Sequence, residues 1–344
     1  MTTDATFDGL ILNPGRLQQW FDACVPGAAS PIALTQIRGG ASNALFRVDR
    51  GAETYALRRP PKISNDPSAN NILREIRLLR ALAETDVPCP RLVAACETAE
   101  VVGTPFAVIE WIDGYTPFAP LPEPLNSDPA MRRDLGFALI DALATVANVD
   151  WRRAGLEGFG KPEGFLERQV DRWLGQLERY RSRSIEFLDP VAAWLRANTP
   201  PTPRVGLIHG DYSPANVMLF PGRPLRFAAI VDWESATIGD PLLDLGHLLS
   251  GWLDADSGPT WAIFADWGGF PSRREAAERY AAATGLPVDH LAYYMTLAVF
   301  KLAIIMEGAY YRHLTGRSQT KEHAEMVHLV PRMVRQAATI SGVA

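Results

Sequence analysis

The stretch His209-Gly210-Asp211-Tyr212-Ser213-Pro214-Ala215-Asn216 is followed further along the chain by Ile230-Val231-Asp232-Trp233-Glu234. Each cluster comes directly after a short apolar segment of the kind that predicts a buried strand. Phosphoryl transfer needs a carboxylate that orients an attacking hydroxyl group and accepts its proton, and oxygen ligands that hold Mg²⁺ on nucleotide phosphates. Asp211 can supply the carboxylate. Asn216 and Asp232 can supply the ligands, because Mg²⁺ prefers few protein oxygens together with phosphates and waters.

Each of these three side chains also has an ordinary structural explanation. Asp211 could cap a turn, Asn216 could stand in a turn, and Asp232 could be a surface charge. Their order along the chain, each placed after a predicted strand, favours the catalytic interpretation. We therefore expect the three side chains to converge around a divalent cation, with Asp211 facing an incoming alcohol.

Length and composition describe an ordinary globular chain. The chain has 344 residues, and at about 150 residues per domain this predicts two domains. Hydrophobic residues make up 47% and charged residues 21%, which excludes a disordered chain. The net charge of −5 disfavours nucleic acid or an acidic membrane as a partner, because a negative chain repels phosphate groups. The sequence leaves the oligomeric state open.

The cysteines and the N-terminal residues suggest a cytoplasmic location. Three cysteines without a CxxC pair favour free thiols in a reducing compartment. Residues 1–9 lack a basic segment followed by an apolar one, so no signal peptide is expected. The longest apolar run, residues 291–306, contains Lys301 and is shorter than a membrane span. We predict a buried core helix there.

Hydrophobic patterning predicts a bilobal α+β fold. Short apolar runs predict strands near residues 32–37, 45–48, 55–58, 92–95 and 106–109, and apolar spacing predicts a helix over 70–84. A proline-rich run from Pro117 to Pro124 marks a hinge. Beyond it the pattern is mostly helical. We predict a small β-rich N-lobe at 1–112 that binds a nucleotide and a larger helical C-lobe at 113–344 with the catalytic loop and the acceptor site.

These motifs resemble the aminoglycoside phosphotransferase and choline kinase group, a branch of the protein-kinase-like fold. The similarity extends from about residue 37 to residue 335, and it is greatest to the subfamily that in some eukaryotes is fused to acyl-CoA dehydrogenases. The segments that carry it are Gly39-Gly40-Ala41-Ser42-Asn43, Leu57-Arg58-Arg59-Pro60-Pro61, Phe106-Ala107-Val108-Ile109-Glu110-Trp111, the two clusters quoted above, and Gly239-Asp240-Pro241-Leu242-Leu243-Asp244-Leu245. Further along the chain, Lys301-Leu302-Ala303 and Glu307-Gly308-Ala309-Tyr310-Tyr311-Arg312 add to the match.

The resemblance implies roles for individual residues. Asp211 matches the catalytic base, and Asn216 and Asp232 match the metal ligands. The segment Glu110 to Ile112 matches the hinge that binds adenine through backbone groups. Two further carboxylates match a helix glutamate that pairs with the phosphate-binding cation and a buried aspartate that steadies the catalytic loop; these are Glu75 and Asp244.

The chain departs from the family pattern at the phosphate-binding cation. The strand position that usually holds lysine is Arg58, which keeps the positive charge but is longer and planar. Arg59 and Lys62 are alternatives for the same role. Ser42 and Asn43, after two glycines, could donate to phosphates, although an ordinary hairpin turn explains the same residues.

The resemblance implies a phosphotransferase that uses Mg²⁺ and ATP or GTP and acts on a small-molecule hydroxyl group. A hydroxy acid or hydroxyacyl compound is the acceptor that the subfamily suggests. The alternatives are a catalytically silent nucleotide-binding protein and an aminoglycoside-modifying enzyme. Residues 245–344 hold nine acidic and nine basic residues, a balance that disfavours a polycationic acceptor. Lys301 either extends to solvent or reaches an anionic group of the substrate.

Overall fold

The computed structural model describes residues 5–7, 10–37, 44–60, 68–117, 121–252, 260–262, 268–318 and 320–344. The chain divides into two compact units. The first contains Met1–Tyr115, Ala154–Leu156 and Ala228–Glu234; the second contains Thr116–Arg153, Glu157–Phe227 and Ser235–Ala344.

The N-terminal part of the chain alternates strands with two helices. Its elements are β1 (Ala5–Phe7), β2 (Leu10–Leu12), α1 (Pro14–Cys24), β3 (Ile32–Ile37), β4 (Ala44–Arg50), β5 (Glu53–Arg59), α2 (Ser68–Leu82), β6 (Leu92–Cys96) and β7 (Phe106–Glu110). The strands predicted from the sequence in this region are confirmed. The predicted helix is confirmed as well, but it ends at Leu82, where turn hydrogen bonds replace the helical ones.

The first unit is built on an antiparallel five-stranded sheet in the order β3-β4-β5-β7-β6. Side chains on a strand alternate between the two faces of its sheet. On β5, Leu57 points into an apolar core with Phe21 of α1 and Phe106 of β7. The next residue, Arg58, therefore points to the opposite face, which is where α2 lies against β6 and β7. The alternation of the strand places the Arg58 guanidinium beside α2.

The rest of the chain is mainly helical. Its elements are α3 (Pro129–Ala147), α4 (Gln169–Leu177), α5 (Leu188–Ala197), β8 (Gly206–Ile208), β9 (Val217–Phe220), β10 (Arg226–Ile230), β11 (Thr237–Gly239), α6 (Leu242–Ser250), α7 (Arg273–Thr284), α8 (Leu291–Leu314) and α9 (Lys321–Ser341). Strands β8 and β11 pair in antiparallel register, with Leu207 opposite Ile238.

The core of the second unit is the packing of α8 against α6 and α9. Among the described residues, α8 is the helix that is long and apolar enough to cross a membrane. However, 72% of its most apolar stretch is buried inside the structure. It is the core helix predicted from the sequence, and it continues past residue 306 to Leu314.

Helix α6 approaches α8 closely because it carries glycine at the contact. A Cβ added at Gly246 would lie 2.5 Å from the backbone carbonyl carbon of Tyr294 and 2.6 Å from its Cβ. These are backbone and near-backbone atoms, which cannot move away without shifting α8. Gly246 thus sets how near α6 lies to α8.

We predict that Gly246→Ala lowers the free energy of unfolding by about 2 kcal/mol, because the extra methyl group overpacks the contact between helices. A matched control is Gly175→Ala in α4, where an added Cβ meets no described atom within 4 Å. That variant should gain about 0.5–1 kcal/mol from better helix propensity. Urea unfolding followed by circular dichroism measures both. Equal effects of the two substitutions would contradict the close contact.

Candidate active site

A buried carboxylate holds the start of the loop that follows β8. The Asp244 side chain on α6 accepts hydrogen bonds from the backbone N–H groups of His209, at 2.6 Å, and Gly210, at 2.8 Å. Burial raises the pKa of Asp244 to about 6, although these two bonds and the charge of Lys301 act in the opposite direction. Asp244 therefore fixes the backbone immediately before Asp211, which is the structural role that the family resemblance implies.

Glycine is required at the turn into this loop. Gly210 has a φ of 86°, a conformation that residues with a Cβ seldom adopt. A Cβ at this position would also lie 2.5 Å from the backbone oxygen of Ser235. The turn directs the next residue, Asp211, away from the strand.

Asp211 and Asn216 meet within the loop. The Asn216 Nδ2 amide donates to the backbone oxygen of Asp211 at 2.8 Å and to its Oδ2 at 3.0 Å. These bonds use the amide nitrogen, so the side-chain oxygen of Asn216 is the atom suited to bind a cation. Asn216 reaches back to Asp211, five residues earlier in the chain, because Pro214–Asn216 form a 3₁₀ turn.

The residue after Asp211 fastens the loop to the body of the second unit. Tyr212 is fully buried, and its hydroxyl group donates to the backbone oxygen of Leu139 on α3 at 2.7 Å. The loop is thus held on both sides of Asp211, by Asp244 on α6 and by Leu139 on α3.

Two side chains that the sequence analysis did not assign to catalysis, one buried and one half-buried, lie at this loop. The Lys301 Nζ of α8 donates to the backbone oxygen of Gly210 and lies 5.8 Å from the ring centre of Trp173. Lys301 is half-buried, and its ammonium group binds the loop rather than extending to solvent. The His247 Nε2 of α6 lies 3.4 Å from Asp211 Oδ1. Sequence reasoning missed His247 because the family segment quoted above ends at Leu245, and a histidine in an apolar helix carries no signal of its partner.

The first unit brings together a second set of predicted residues. The Arg58 Nε lies 3.3 Å from Glu75 Oε1 of α2, and its Nη2 lies 3.2 Å from Asp232 Oδ1. The Glu75 side chain is 3% exposed and the Asp232 side chain is 40% exposed. Arg58 thus links a buried carboxylate to one that solvent can reach.

Negative charge exceeds positive charge around this guanidinium. Burial opposes the charge of Arg58, but Glu75, Asp232 and Glu234 raise its pKa overall. Burial also raises the pKa of Glu75, and Asp232 and Glu234 add to that effect, while Arg58 lowers it. Among the described residues, Arg58 Nε and Glu75 Oε2 are buried without a hydrogen-bond partner.

The backbone at Asp232 is strained. It has a φ of 66°, which for an aspartate costs on the order of 1 kcal/mol. The turn is held by Trp233, whose Nε1 donates to the backbone oxygen of Ile230 at 3.1 Å, and by the N–H of Ile230, which donates to Pro88 at 2.7 Å. Backbone strain of this kind is often found at functional positions. Here the strained conformation directs the Asp232 carboxylate toward Arg58.

The remaining predicted residues are placed as follows. The Glu110 N–H, at the end of β7, donates to the backbone oxygen of Arg91 at 2.9 Å, and the Ile112 oxygen accepts from Gly114 N–H at 2.8 Å. Ser42 and Asn43 lie outside the described residues, as does Lys62.

Arg59 is accounted for by the structure of the first unit. It is fully buried, and its Nη1 donates to the backbone oxygen of Val102 at 3.1 Å. Arg58, and not Arg59, is therefore the arginine on the α2 face of β5.

Asp211 and Asn216 belong to the second unit and Asp232 to the first. The expectation that all three converge around one cation stays a prediction. In the described part of the chain, no group of three or more His, Cys, Asp or Glu side chains is arranged to hold a metal alone. Mg²⁺ at a nucleotide site needs only one or two carboxylates, with phosphates and waters completing its shell. The oxygens of Asp232 and Asn216 suit that chemistry.

Comparison with known families identifies the class of protein. Residues 33–286 match the phosphotransferase enzyme family. Since this match covers most of the chain, the chain belongs to that family, as its motifs predicted.

Curated relatives are larger proteins. Acyl-CoA dehydrogenase family member 10 of Mus musculus is 30% identical over 299 residues, which cover 85% of this chain and 28% of the relative. Acyl-CoA dehydrogenase family member 11 of Homo sapiens is 30% identical over 315 residues, which cover 90% of this chain and 40% of the relative. The chain thus spans well under half the length of these relatives.

Solved structures show the same kinase-like fold. A candidate aminoglycoside phosphotransferase from Ralstonia eutropha superposes with a TM-score of 0.82 at 28% identity, covering 95% of this chain and 98% of that one. Choline kinase from Cryptosporidium parvum gives a TM-score of 0.62 at 12% identity, with coverages of 95% and 96%. An aminoglycoside phosphotransferase in ternary complex with AMP-PNP and hygromycin B gives 0.57 at 15% identity, with coverages of 93% and 98%.

The pKa of His247 predicts how stability depends on pH. Burial and the charge of Lys301 lower the pKa of His247 from 6.5 to about 3. Between these two values the unfolded chain binds a proton that the folded chain does not, so stability falls as the pH falls from neutrality. For this residue, acidification from pH 7.5 to pH 5.5 should cost about 1.4 kcal/mol.

Urea unfolding at the two pH values measures this contribution. His247→Gln should lose about 1.4 kcal/mol less than the wild type on acidification. His328→Gln, at an exposed position, should behave like the wild type. If the free energy of unfolding of His247→Gln depends on pH as it does in the wild type, the His247 imidazole must accept a proton in the folded state at pH 5.5.

Proposed function

We propose that the chain transfers the γ-phosphoryl group of a magnesium nucleotide to a hydroxyl group of a small metabolite. The observation that carries this proposal is the loop around Asp211, whose carboxylate is held by Asn216 and whose backbone is held by Asp244. The phosphotransferase family match and the kinase-like neighbours support it.

Asp211 is the proposed general base. In the step that we propose, the acceptor hydroxyl group gives its proton to Asp211 while its oxygen forms a bond to the γ-phosphorus. The bond between that phosphorus and the bridging oxygen of the nucleotide breaks, and the nucleoside diphosphate leaves. Little covalent assistance is needed in such a reaction, so orientation of the hydroxyl group is the main contribution of the residue.

Arg58, Asp232 and Asn216 are the proposed phosphate and metal residues. Arg58 would bind phosphate oxygens while Glu75 keeps its guanidinium in place, and Asp232 and Asn216 would bind Mg²⁺. The metal, when bound, neutralises the negative charge of the phosphates. The excess of carboxylates around Arg58 suits a divalent cation.

Glu110 and Ile112 are the proposed adenine contacts. The N–H of Glu110 and the oxygen of Ile112 already take part in backbone hydrogen bonds. The complementary groups, the Glu110 oxygen and the Ile112 N–H, are those that we assign to the base. Ser42 and Asn43 stay proposed phosphate contacts.

We propose a hydroxy acid or a hydroxyacyl compound as the acceptor. The curated relatives are named as acyl-CoA dehydrogenase family members, which supports an acyl substrate. Residues 245–344 carry equal numbers of acidic and basic residues, and this balance favours such an acceptor over a polycation such as an aminoglycoside.

A nucleotide-consumption screen tests this function. ATP and GTP are each offered with pools of hydroxy acids, their thioesters, amino alcohols and aminoglycosides, and Asp211→Asn serves as the control. We expect the hydroxy acid or thioester pool to stimulate consumption. Stimulation by aminoglycosides alone would instead identify an antibiotic-modifying enzyme. Nucleotide binding without transfer to any pool would identify a catalytically silent protein.

We predict that Asp211→Asn lowers kcat about a thousandfold, because the variant cannot accept the proton of the hydroxyl group. The dissociation constant for Mg-AMP-PNP should stay within about threefold, since Asp211 is not assigned to nucleotide binding. Initial rates and isothermal titration calorimetry measure the two quantities. The matched control is Asp189→Asn, whose side chain is 88% exposed and which should leave both unchanged. Full turnover in Asp211→Asn would exclude Asp211 as the base.

A further inference from the structure

Two side chains on the core helices α6 and α8 contact the loop around Asp211. His247 is 5% exposed in its side chain, and its Nε2 lies 3.4 Å from Asp211 Oδ1. Lys301 donates its Nζ hydrogen to the backbone oxygen of Gly210. We call His247 and Lys301 the anchor pair. Neither is a residue to which a role was assigned in phosphate, metal or adenine binding.

The contact of His247 with Asp211 fixes which ring nitrogen carries hydrogen. An ionised carboxylate is only a hydrogen-bond acceptor. A ring nitrogen that faces it closely is attracted only if that nitrogen bears a hydrogen atom. The low pKa of His247 makes its ring neutral at physiological pH, so the single ring hydrogen must lie on Nε2 for the contact to be favourable. The distance of 3.4 Å is long for a hydrogen bond, as is common at catalytic groups before substrate binds.

The two oxygens of Asp211 are thus contacted by different elements. Oδ2 accepts from Asn216 within the loop at 3.0 Å, and Oδ1 faces His247 on α6. Contacts at both oxygens restrain rotation of the carboxylate about its Cβ–Cγ bond. Its orientation toward an incoming hydroxyl group is then set before the substrate arrives, which is the condition for efficient proton acceptance.

Lys301 holds the backbone one residue earlier and balances charge. Burial lowers the pKa of Lys301, whereas the carboxylates of Asp211 and Asp244 raise it. An apolar side chain would fill the same space on α8 at a lower desolvation cost. The cation is useful here because two carboxylates and the carbonyl oxygen of Gly210 all direct negative charge toward it.

We propose that the anchor pair are positioning residues for the base: His247 donates its Nε2–H to Asp211 Oδ1, and Lys301 fixes the Gly210 carbonyl group, so that the Asp211 carboxylate keeps one orientation. This inference rests on the proposed role of Asp211. It adds two residues, from α6 and α8, whose contribution to the reaction is made through Asp211 and not through contact with the reacting atoms.

The test of His247 compares two substitutions of similar size. His247→Leu removes the donor, and His247→Gln keeps an N–H group that can reach the position of Nε2. We expect kcat to fall about thirtyfold in His247→Leu and to recover to within about fivefold of the wild type in His247→Gln. KM for nucleotide and for acceptor should change less than about threefold in both, because the role proposed for His247 is to orient Asp211 and not to bind either substrate. His328→Leu, at an exposed position, is the matched control.

Lys301 is tested in the same way. Lys301→Met keeps the apolar length of the side chain and removes the charge; we expect kcat to fall about tenfold with little change in KM. Lys321→Met, where the side chain is 87% exposed, is its control and should keep the kcat of the wild type. Full kcat in both His247→Leu and Lys301→Met, alongside an inactive Asp211→Asn, would overturn the inference and leave the proposed function intact.

Crystal structures of the variants give an outcome that does not depend on turnover. In His247→Leu the Asp211 carboxylate should occupy a rotated or a second orientation, and in His247→Gln it should keep the wild-type orientation. If Asp211→Asn retains full turnover, the proposed function fails, and these structures still test the anchor pair. One unchanged Asp211 orientation in His247→Leu would overturn the inference, whatever the activity. If His247→Leu does not fold, the inference is tested on Lys301→Met and His247→Gln instead, by kcat, KM and the orientation of the Asp211 carboxylate.

Discussion

The two hydrogen bonds that the buried Asp244 carboxylate accepts are the interaction on which the loop around Asp211 depends. Asp244 is only 1% exposed, and removing its negative charge from water costs free energy. Two backbone N–H groups, from His209 and Gly210, and the nearby cation of Lys301 offset that cost. The same bonds fix the backbone on which Asp211 stands. The Asp244 side chain thus fixes where Asp211 stands. The turn between them needs glycine, because a Cβ at Gly210 would lie 2.5 Å from the backbone oxygen of Ser235.

In the first unit, too, a charged side chain is held in place by groups of opposite charge. The period of two along β5 turns Arg58 toward α2 and Arg59 into the apolar core, where its Nη1 donates to the backbone oxygen of Val102. Glu75 is the buried partner of Arg58, and Asp232 is the partner that solvent can reach. Arginine, at the strand position where the family resemblance implies lysine, keeps a positive charge between these two carboxylates and adds a second donor direction. The presence of arginine instead of lysine at position 58 is therefore compatible with a phosphate-binding site.

Sequence reasoning recovered much of this structure, and its failures have physical causes. Strands, helices and the catalytic loop carry local signals, because apolar periodicity and the spacing of Asp211 and Asn216 are set by neighbours along the chain. His247 carries no such signal. It stands in a helix that is buried throughout, and its partner Asp211 is brought near only by the packing of the second unit. The two interpretations of Lys301 both assumed a target beyond the protein, whereas its ammonium group binds the Gly210 backbone. Contacts of this kind depend on tertiary structure, which the order of residues does not display.

The most direct test of the central claim follows the phosphoryl group itself. ATP labelled with ¹⁸O in its γ-phosphoryl group is incubated with the protein, Mg²⁺ and the acceptor pool that stimulates consumption, and the products are examined by mass spectrometry. The account predicts that the labelled phosphoryl group appears on a hydroxyl group of the acceptor. Label that is found only in inorganic phosphate, or that stays on a nucleotide that the protein demonstrably binds, would contradict it.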